Sequence, residues 1–532
     1  MTGESEMATA FFSDLLNSIS DRGRQLLGLA EGPVDQKLLL SGLVDLCEQI
    51  LSGRGEASGA ALAREALDRY ELLDADSRMS FFDTLAGNFG PDPKKLAAAA
   101  YAWTNNPGQE TAADLHFAAE SRRQELFRRL NRAPGGTAAL VHMREALLRA
   151  VRSEPHLKTI DRDFSHLLNS WFNRGFLELR RIDWSSPALI LEKLIRYEAV
   201  HQINGWDELR RRIDPPDRRC YGFFHPALKD EPLIFVEVAL TADISGAVQP
   251  LLAEKREPLQ PSSARTAVFY SISNCQDGLA GISFGNFLIK QVVEELRREQ
   301  PKLERFVTLS PVPGFMTWLT KHARRHLSDV EQKLLLELED PDWALDGNVA
   351  AQLKPVLEAL AALYFVEMRD RNGRARDPVA RFHLGNGARL ERINWLGDRS
   401  EKGMKESAGI MVNYLYDLDE IEKNHEAYFN KGEVVAASQV RKLVRSAHKG
   451  LAAAILEAEA TADTPACKSP RPTGDGTVAS PAEPPPEQAD TGTDAGQGAA
   501  AGKTEQQSTA RVQSPAKDQA PVKDQAPVKA DG

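Results

Sequence analysis

Cysteine is scarce: Cys47, Cys220, Cys275 and Cys467 are the only four in 532 residues, and no two form a CxxC pair. That spacing excludes a disulfide-framed module and a cysteine-built zinc site. Long uncharged apolar runs are also missing, with no stretch approaching the roughly 18 residues that a membrane-spanning helix requires. The N-terminus, MTGESEMATAFF, carries Glu4 and Glu6 where a leader peptide would be basic, and the chain ends Ala530-Asp531-Gly532, which is not a peroxisomal address. The cytoplasm is therefore the expected location. Positive charge is not in excess either: 66 Lys+Arg against 76 Asp+Glu leave a net charge of -10. This is the wrong balance for a general nucleic-acid binder, though a local basic pocket for a phosphorylated ligand stays compatible with it. Finally, there is no GxxxxGK[ST], HExxH, GxSxG or kinase signature, which removes the motif basis for the usual phosphotransferases, zincins and α/β-hydrolases.

What is present divides into three. Residues 7–200 read as a helical bundle, with Phe12, Leu15, Leu16 and Ile19 at helical spacing and similar patterns recurring through DFSHLLNSWFNRGFLELRRI (163–182). Gly90-Pro91 and Pro134-Gly135-Gly136 punctuate them. From 201 to 460 the pattern is α/β: EPLIFVEVALT (231–241), TAVFYSISN (266–274), FVTLS (from 306), RLERINWLG (389–397) and GIMVNYLY (409–416) are strands by their β-branched and aromatic content. Helical stretches lie between, and a last helix spans 437–460. The remainder, 462–532, has no Leu, Ile, Met, Phe, Trp or Tyr and holds 10 of the 30 prolines. Lacking large apolar groups to offset the entropy of ordering, it is expected to be disordered.

Three stretches can carry chemistry. The loop Gln276–Asn286 contains three glycines and runs from a strand into an amphipathic helix. Its free amides suit a phosphate or an oxyanion, and an ordinary tight turn explains it equally. In Leu309-Ser310-Pro311-Val312-Pro313, the two prolines hold Ser310 with little freedom; a helix N-cap is the other reading. His383, in Phe382-His383-Leu384-Gly385-Asn386-Gly387, is either a satisfied core residue or a catalyst. Arg210-Arg211-Arg212 and Arg218-Arg219 form a basic cluster, read as a solvated face or as the rim of an anion site.

Taken together, RRCY (218–221), EPLIFVEVALTADIS (231–245), AVFYSISNCQDGL (267–279) with GNFLIKQVVEEL, LSPVPGF (309–315), RFHLGNGARLERINW (381–395) and SAGIMVNYLYDL (407–418) resemble the malonyl-CoA decarboxylase family. The resemblance covers most of 200–460 in one consistent order. It implies a helical N-terminal oligomerisation domain (7–200), an acetyltransferase-like (GNAT) catalytic domain (201–460), and conversion of malonyl-CoA to acetyl-CoA and CO2 without metal or other cofactor. It further implies a homotetramer built as a dimer of dimers and a place in fatty-acid and malonate metabolism. By the same resemblance Ser310 and His383 are catalytic and contact substrate, and Ala280, Gly281, Ile282, Ser283, Phe284, Gly285 and Asn286 form the acyl-CoA loop. Some family members carry glutamate where this chain has Ser283. The chemistry fits: an enolate requires oxyanion stabilisation, for which the loop amides are candidates, and then a proton, for which His383 is the donor. A true acyltransferase and a non-catalytic acyl-CoA sensor are the competing classes; CO2 release without an acceptor separates them.

Overall fold

Helix-forming stretches with aspartate caps build the first layer. The computed structural model describes residues 35–52, 56–282, 288–370 and 372–450. The helix expected around residues 11–30 and the tail 462–532 lie outside them. Eight helices come first: α1 (Gln36–Leu51), α2 (Glu56–Glu71), α3 (Ala75–Asn88), α4 (Pro93–Asn105), α5 (Gln109–Ala119), α6 (Arg122–Leu130), α7 (Gly136–Ala150) and α8 (Lys158–Trp171). The carboxylates of Asp35, Asp74 and Asp92 accept first-turn amides and so start α1, α3 and α4. In α1, Leu43, Leu46, Cys47 and Ile50 form the buried stripe at a period near 3.6.

A seven-stranded sheet follows: β1 (Glu178–Ile182), β2 (Arg218–Phe224), β3 (Pro232–Thr241), β4 (Thr266–Asn274), β5 (Arg305–Thr308), β6 (Arg389–Asn394) and β7 (Met411–Leu415), in the order β1-β2-β3-β4-β5-β7-β6. Only β4 and β5 pair in parallel; the other neighbours are antiparallel. The parallel pair needs a crossover, supplied by α11 below. Residues 178–182, expected to be helical, are instead the edge strand of the sheet, because α8 ends at Trp171 and Glu178–Ile182 pairs with Phe224–Cys220. The sheet thus begins well before residue 200.

Further helices flank the sheet: α9 (Ala188–Tyr197), α10 (Trp206–Ile213), α11 (Leu288–Glu299), α12 (Gly347–Val366), α13 (Pro378–Gly385), α14 (Ile421–Lys431) and α15 (Ser438–Gly450). By length and composition α12 is the one described helix able to cross a bilayer, but it carries Lys354 and Glu358 and buries ten side chains against the protein. The basic cluster is neither a solvated face nor a rim over most of its length. Arg212, Arg218 and Arg219 are buried; Arg212 pairs with Glu208 and Glu237, and Arg219 with Glu299. Glu208 is one turn away on α10, but Glu237 and Glu299 come from distant parts of the chain, so local sequence does not reveal them.

One apolar cluster runs from Leu43, Phe127 and Leu168 in the helical layer through Val236 and Phe269 in the sheet to Leu360 in α12. The helical layer and the sheet therefore share a core rather than meeting at a linker.

Candidate active site

The parallel pair does not stay closed. β4 and β5 pair over Thr266–Phe269 and Arg305–Thr308, with one further bond from the Leu309 amide to the Phe269 carbonyl at 2.8 Å. Beyond that point β4 continues to Asn274 beside β3, while Ser310 turns to bridge Val412 through two hydrogen bonds of 2.8 and 2.9 Å. The strands splay, and the wedge between them is a cavity of about 270 Å³. Its lining is mostly apolar, including Val200, Ile272, Leu309 and Phe382; its polar side chains include Asn274, Ser310 and His383.

Ser310 and His383, 73 residues apart in sequence, meet in this wedge. Ser310 Oγ lies 3.1 Å from His383 Nε2 and donates to Thr308 Oγ1 at 2.9 Å. Thr308 Oγ1 also accepts the Tyr414 amide at 3.1 Å. On the far side of the ring, Nδ1 is 2.8 Å from the Tyr416 hydroxyl. The imidazole stacks on Tyr414 with centroids 4.7 Å apart and planes 25° apart. With the serine proton on Thr308, Nε2 carries the ring hydrogen and Nδ1 accepts from Tyr416. Burial pulls the His383 pKa down from 6.5 to about 3, so the imidazole is neutral near pH 7 in the free site. Ser310 is no helix cap, since Gly314 begins the short helix that follows it. His383 is buried, as a core residue would be, yet it borders a cavity and uses both nitrogens.

Helix α13 presents His383 from its last turn. Asp377 caps the other end, its Oδ1 accepting the Val379 and Ala380 amides at 3.0 and 2.8 Å. Burial raises its pKa from 3.8 to about 6 against these amide bonds, which lower it.

The glycine-bearing loop stands elsewhere. Ala280, Gly281 and Ile282 line a second, wider cleft of about 470 Å³, with Arg374, Arg381 and His425 also on its walls. Ser283, Phe284, Gly285 and Asn286 lie outside the described residues. The two spaces adjoin, sharing Asn274 and Phe382. The described part of the loop, Ala280–Ile282, is therefore beside the Ser310–His383 pair and does not line its cavity. Sequence reasoning missed Thr308, Tyr414, Tyr416 and Asn274. The i, i+2 spacing of Thr308 with Ser310, and of Tyr414 with Tyr416, is the signal that each pair shares one face of an extended chain. Among the described residues, no three His, Cys, Asp or Glu side chains gather as a metal site would require.

A mixed sheet opened at its one parallel pair, with Ser310 and His383 in the opening and a crossover loop alongside, defines an α/β domain with an enzyme-like site at the splay. A model of the malonyl-CoA decarboxylase C-terminal domain matches residues 175–454, starting just ahead of β1, and one of the N-terminal domain matches 89–172. The mitochondrial malonyl-CoA decarboxylase of Anser anser anser is 36% identical over 412 residues, covering 70% of this chain and 81% of its own length. Crystal structures of malonyl-CoA decarboxylases from Rhodopseudomonas palustris (58% identical, TM-score 0.74) and Agrobacterium vitis (54%, 0.72) each cover 76% of this chain and 99% of their own. The chain belongs to the malonyl-CoA decarboxylase family and is a decarboxylase.

Proposed function

We propose that this protein converts malonyl-CoA to acetyl-CoA and CO2 in the splayed wedge, with Ser310 and His383 as catalytic residues. The observation that carries the reading is their 3.1 Å approach in a mostly apolar cavity beside the acyl-CoA loop. CoA occupies the wider cleft lined by Ala280, Gly281 and Ile282, and the malonyl group reaches through to the wedge past Asn274. A carboxylate brought into this apolar space is poorly solvated and is relieved of its charge by leaving as CO2. The electron pair of the breaking C–C bond moves onto the thioester, making an enolate. The Ala280 and Ile282 amides are taken by the Asp277 and Leu279 carbonyls, so the enolate oxygen falls to the Asn274 side chain and to the Ser310 hydroxyl, which turns its hydrogen from Thr308 to the substrate; one such donor is worth about 3 kcal/mol.

The α-carbon then needs a proton, and the free imidazole, being neutral, does not hold a spare one. The substrate carboxylate supplies the remedy: a negative charge beside Nε2 favours the imidazolium, so His383 takes a proton from solvent on binding. It passes its Nε2 proton to the α-carbon after CO2 departs and returns to the neutral state, the proton taken up remaining on Nδ1 against Tyr416. The Tyr416 hydroxyl can donate to or accept from Nδ1, which accommodates both states. The thioester is its own electron sink, so neither metal nor organic cofactor enters this scheme.

We place the enzyme in the cytoplasm, on the strength of buried, unpaired Cys47, Cys220 and Cys275. We also read it as a homo-oligomer, a tetramer built as a dimer of dimers. Helices α4 and α5 support this, since they bury no residue in the subunit and expose Tyr101, Trp103 and Phe117.

The test is CO2 and acetyl-CoA formation from malonyl-CoA by the purified chain, with metals chelated and no acyl acceptor. Equimolar release of both is expected, with His383→Asn and Ser310→Ala each lowering kcat by about 10²–10⁴-fold. Full turnover in a folded His383→Asn chain rejects the assignment; acyl transfer without CO2 rejects the function.

A further inference from the structure

Helix α7 belongs to the helical layer, yet it reaches the loop between β4 and α11. Arg144 Nη1 donates to the carbonyls of Gly278 (2.7 Å) and Ala280 (3.0 Å). The guanidinium is itself held from α8, by Asp161 at 2.9 Å and Ser165 at 3.1 Å, and its side chain is only 3% exposed. One turn earlier, the Val141 carbonyl lies so close to Gly278 that a Cβ there would sit 2.0 Å from the Val141 oxygen. No side chain fits between helix and loop. A buried arginine with four well-placed partners, two of them carbonyls of a strand-to-helix loop, fixes the peptide planes of that loop.

The consequence follows from peptide geometry. In a trans peptide the C=O and N–H point in opposite directions. Drawing the Ala280 carbonyl towards Arg144 therefore turns the Gly281 N–H away from the helical layer, towards the cleft that Gly281 lines. That amide has no hydrogen-bond partner among the described residues, and its φ of +76° is one that glycine adopts readily.

We propose that Arg144 is a positioning residue for CoA: by pinning the Gly278 and Ala280 carbonyls it presents the Gly281 amide to a phosphate oxygen of the CoA moiety. The helical layer thereby sets affinity for the phosphate-bearing end of the substrate without touching the reacting atoms. This rests on the reading above that the cleft takes an acyl-CoA.

The experiment compares malonyl-CoA with malonyl-pantetheine, which carries the same reacting group without the phosphates. In Arg144→Met, KM for malonyl-CoA rises about tenfold, as loss of a charged hydrogen bond would give, while kcat and the KM for malonyl-pantetheine hold. Arg144→Lys, retaining one cationic donor, is intermediate. Equal losses on both substrates, or an unchanged KM for malonyl-CoA, overturn the proposal. Should Arg144→Met not fold, Asp161→Asn replaces it and is expected to shift KM for malonyl-CoA in the same direction by a smaller factor. Calorimetric titration with free CoA separates this idea from the decarboxylase reading. If the wild-type chain does not turn over malonyl-CoA, a tenfold weaker CoA affinity in the variant still supports Arg144 as the loop's holder, and equal affinities reject it.

Discussion

At the scale of single residues, the proposed mechanism turns on a histidine that is neutral when empty and needed as an acid when occupied. Burial holds its pKa near 3, and only the substrate carboxylate supplies the charge that reverses this. Binding of a malonyl thioester should thus take up one proton per site near pH 7, whereas acetyl-CoA, lacking the carboxylate, should take up none. Calorimetry of Ser310→Ala in two buffers of different ionisation enthalpy measures this; equal uptake for both ligands, or none for the malonyl thioester, removes His383 as the proton carrier. Ser310 and His383 were legible in the sequence only through the long ordered resemblance, since a serine before a proline and a histidine between apolar residues have commoner explanations. Tyr416 was not legible, because its role depends on β7 standing beside α13, a contact made 33 residues on from His383. Arg212 and Arg219 of the basic cluster were misread for the same reason: their charge is visible in the sequence, but Glu237 and Glu299, which meet them across the fold, are not.

At the scale of elements, strands announced themselves by composition and the helical layer by period. β4 was read at its observed bounds, and β3 within a residue of them. β1 was missed because ELRRI is short, charged and exposed on both faces over most of its length, and only its pairing with β2 makes it a strand. Helix α13 carries His383, and its cap also faces the serine loop. A Cβ on Gly314 would lie 2.4 Å from the Tyr364 hydroxyl and 3.6 Å from Asp377 Oδ2, so the Ser310 loop, α12 and the start of α13 converge on one carboxyl group. Asp377→Ala should cost about 1 kcal/mol of stability as a lost cap and, by loosening His383, lower kcat by about tenfold. Asp377→Asn keeps the accepting oxygen and should recover most of both. Thermal denaturation read alongside steady-state kinetics decides this: an alanine variant of reduced Tm with unaltered kcat shows that the cap serves the fold alone.

At the scale of the whole molecule, the splayed sheet and its shared core require titratable groups to be buried, and their opposing shifts shape stability against pH. His383 is held near 3, and burial likewise lowers His201 to about 4 from the same ordinary value of 6.5. Unfolded, both protonate below pH 6.5; folded, they resist, so stability is intact above 6.5 and is lost as pH falls towards 4. The slope is about 1.4 kcal/mol per pH unit for each histidine. Glu237, in the middle of the sheet, behaves in the opposite way: burial, reinforced by Glu198, raises its pKa from 4.5 to about 8 despite Arg212 at 3.3 Å. Its contribution is whole below pH 4.5 and fades as pH rises towards 8, because only the unfolded chain ionises freely in that window. The three groups together confine maximal stability to mildly acidic pH. Denaturant midpoints measured from pH 4 to 9 test each limb separately. His383→Gln should take about 1.4 kcal/mol per pH unit off the slope below pH 6.5 and leave the slope above it alone, whereas Glu237→Gln should steepen the rise between pH 4.5 and 6.5 by the same amount and abolish the fall between 6.5 and 8. If Glu237→Gln instead lowers stability equally at pH 5 and pH 8, the carboxyl is ionised throughout and its pairing with Arg212, not its burial, governs it.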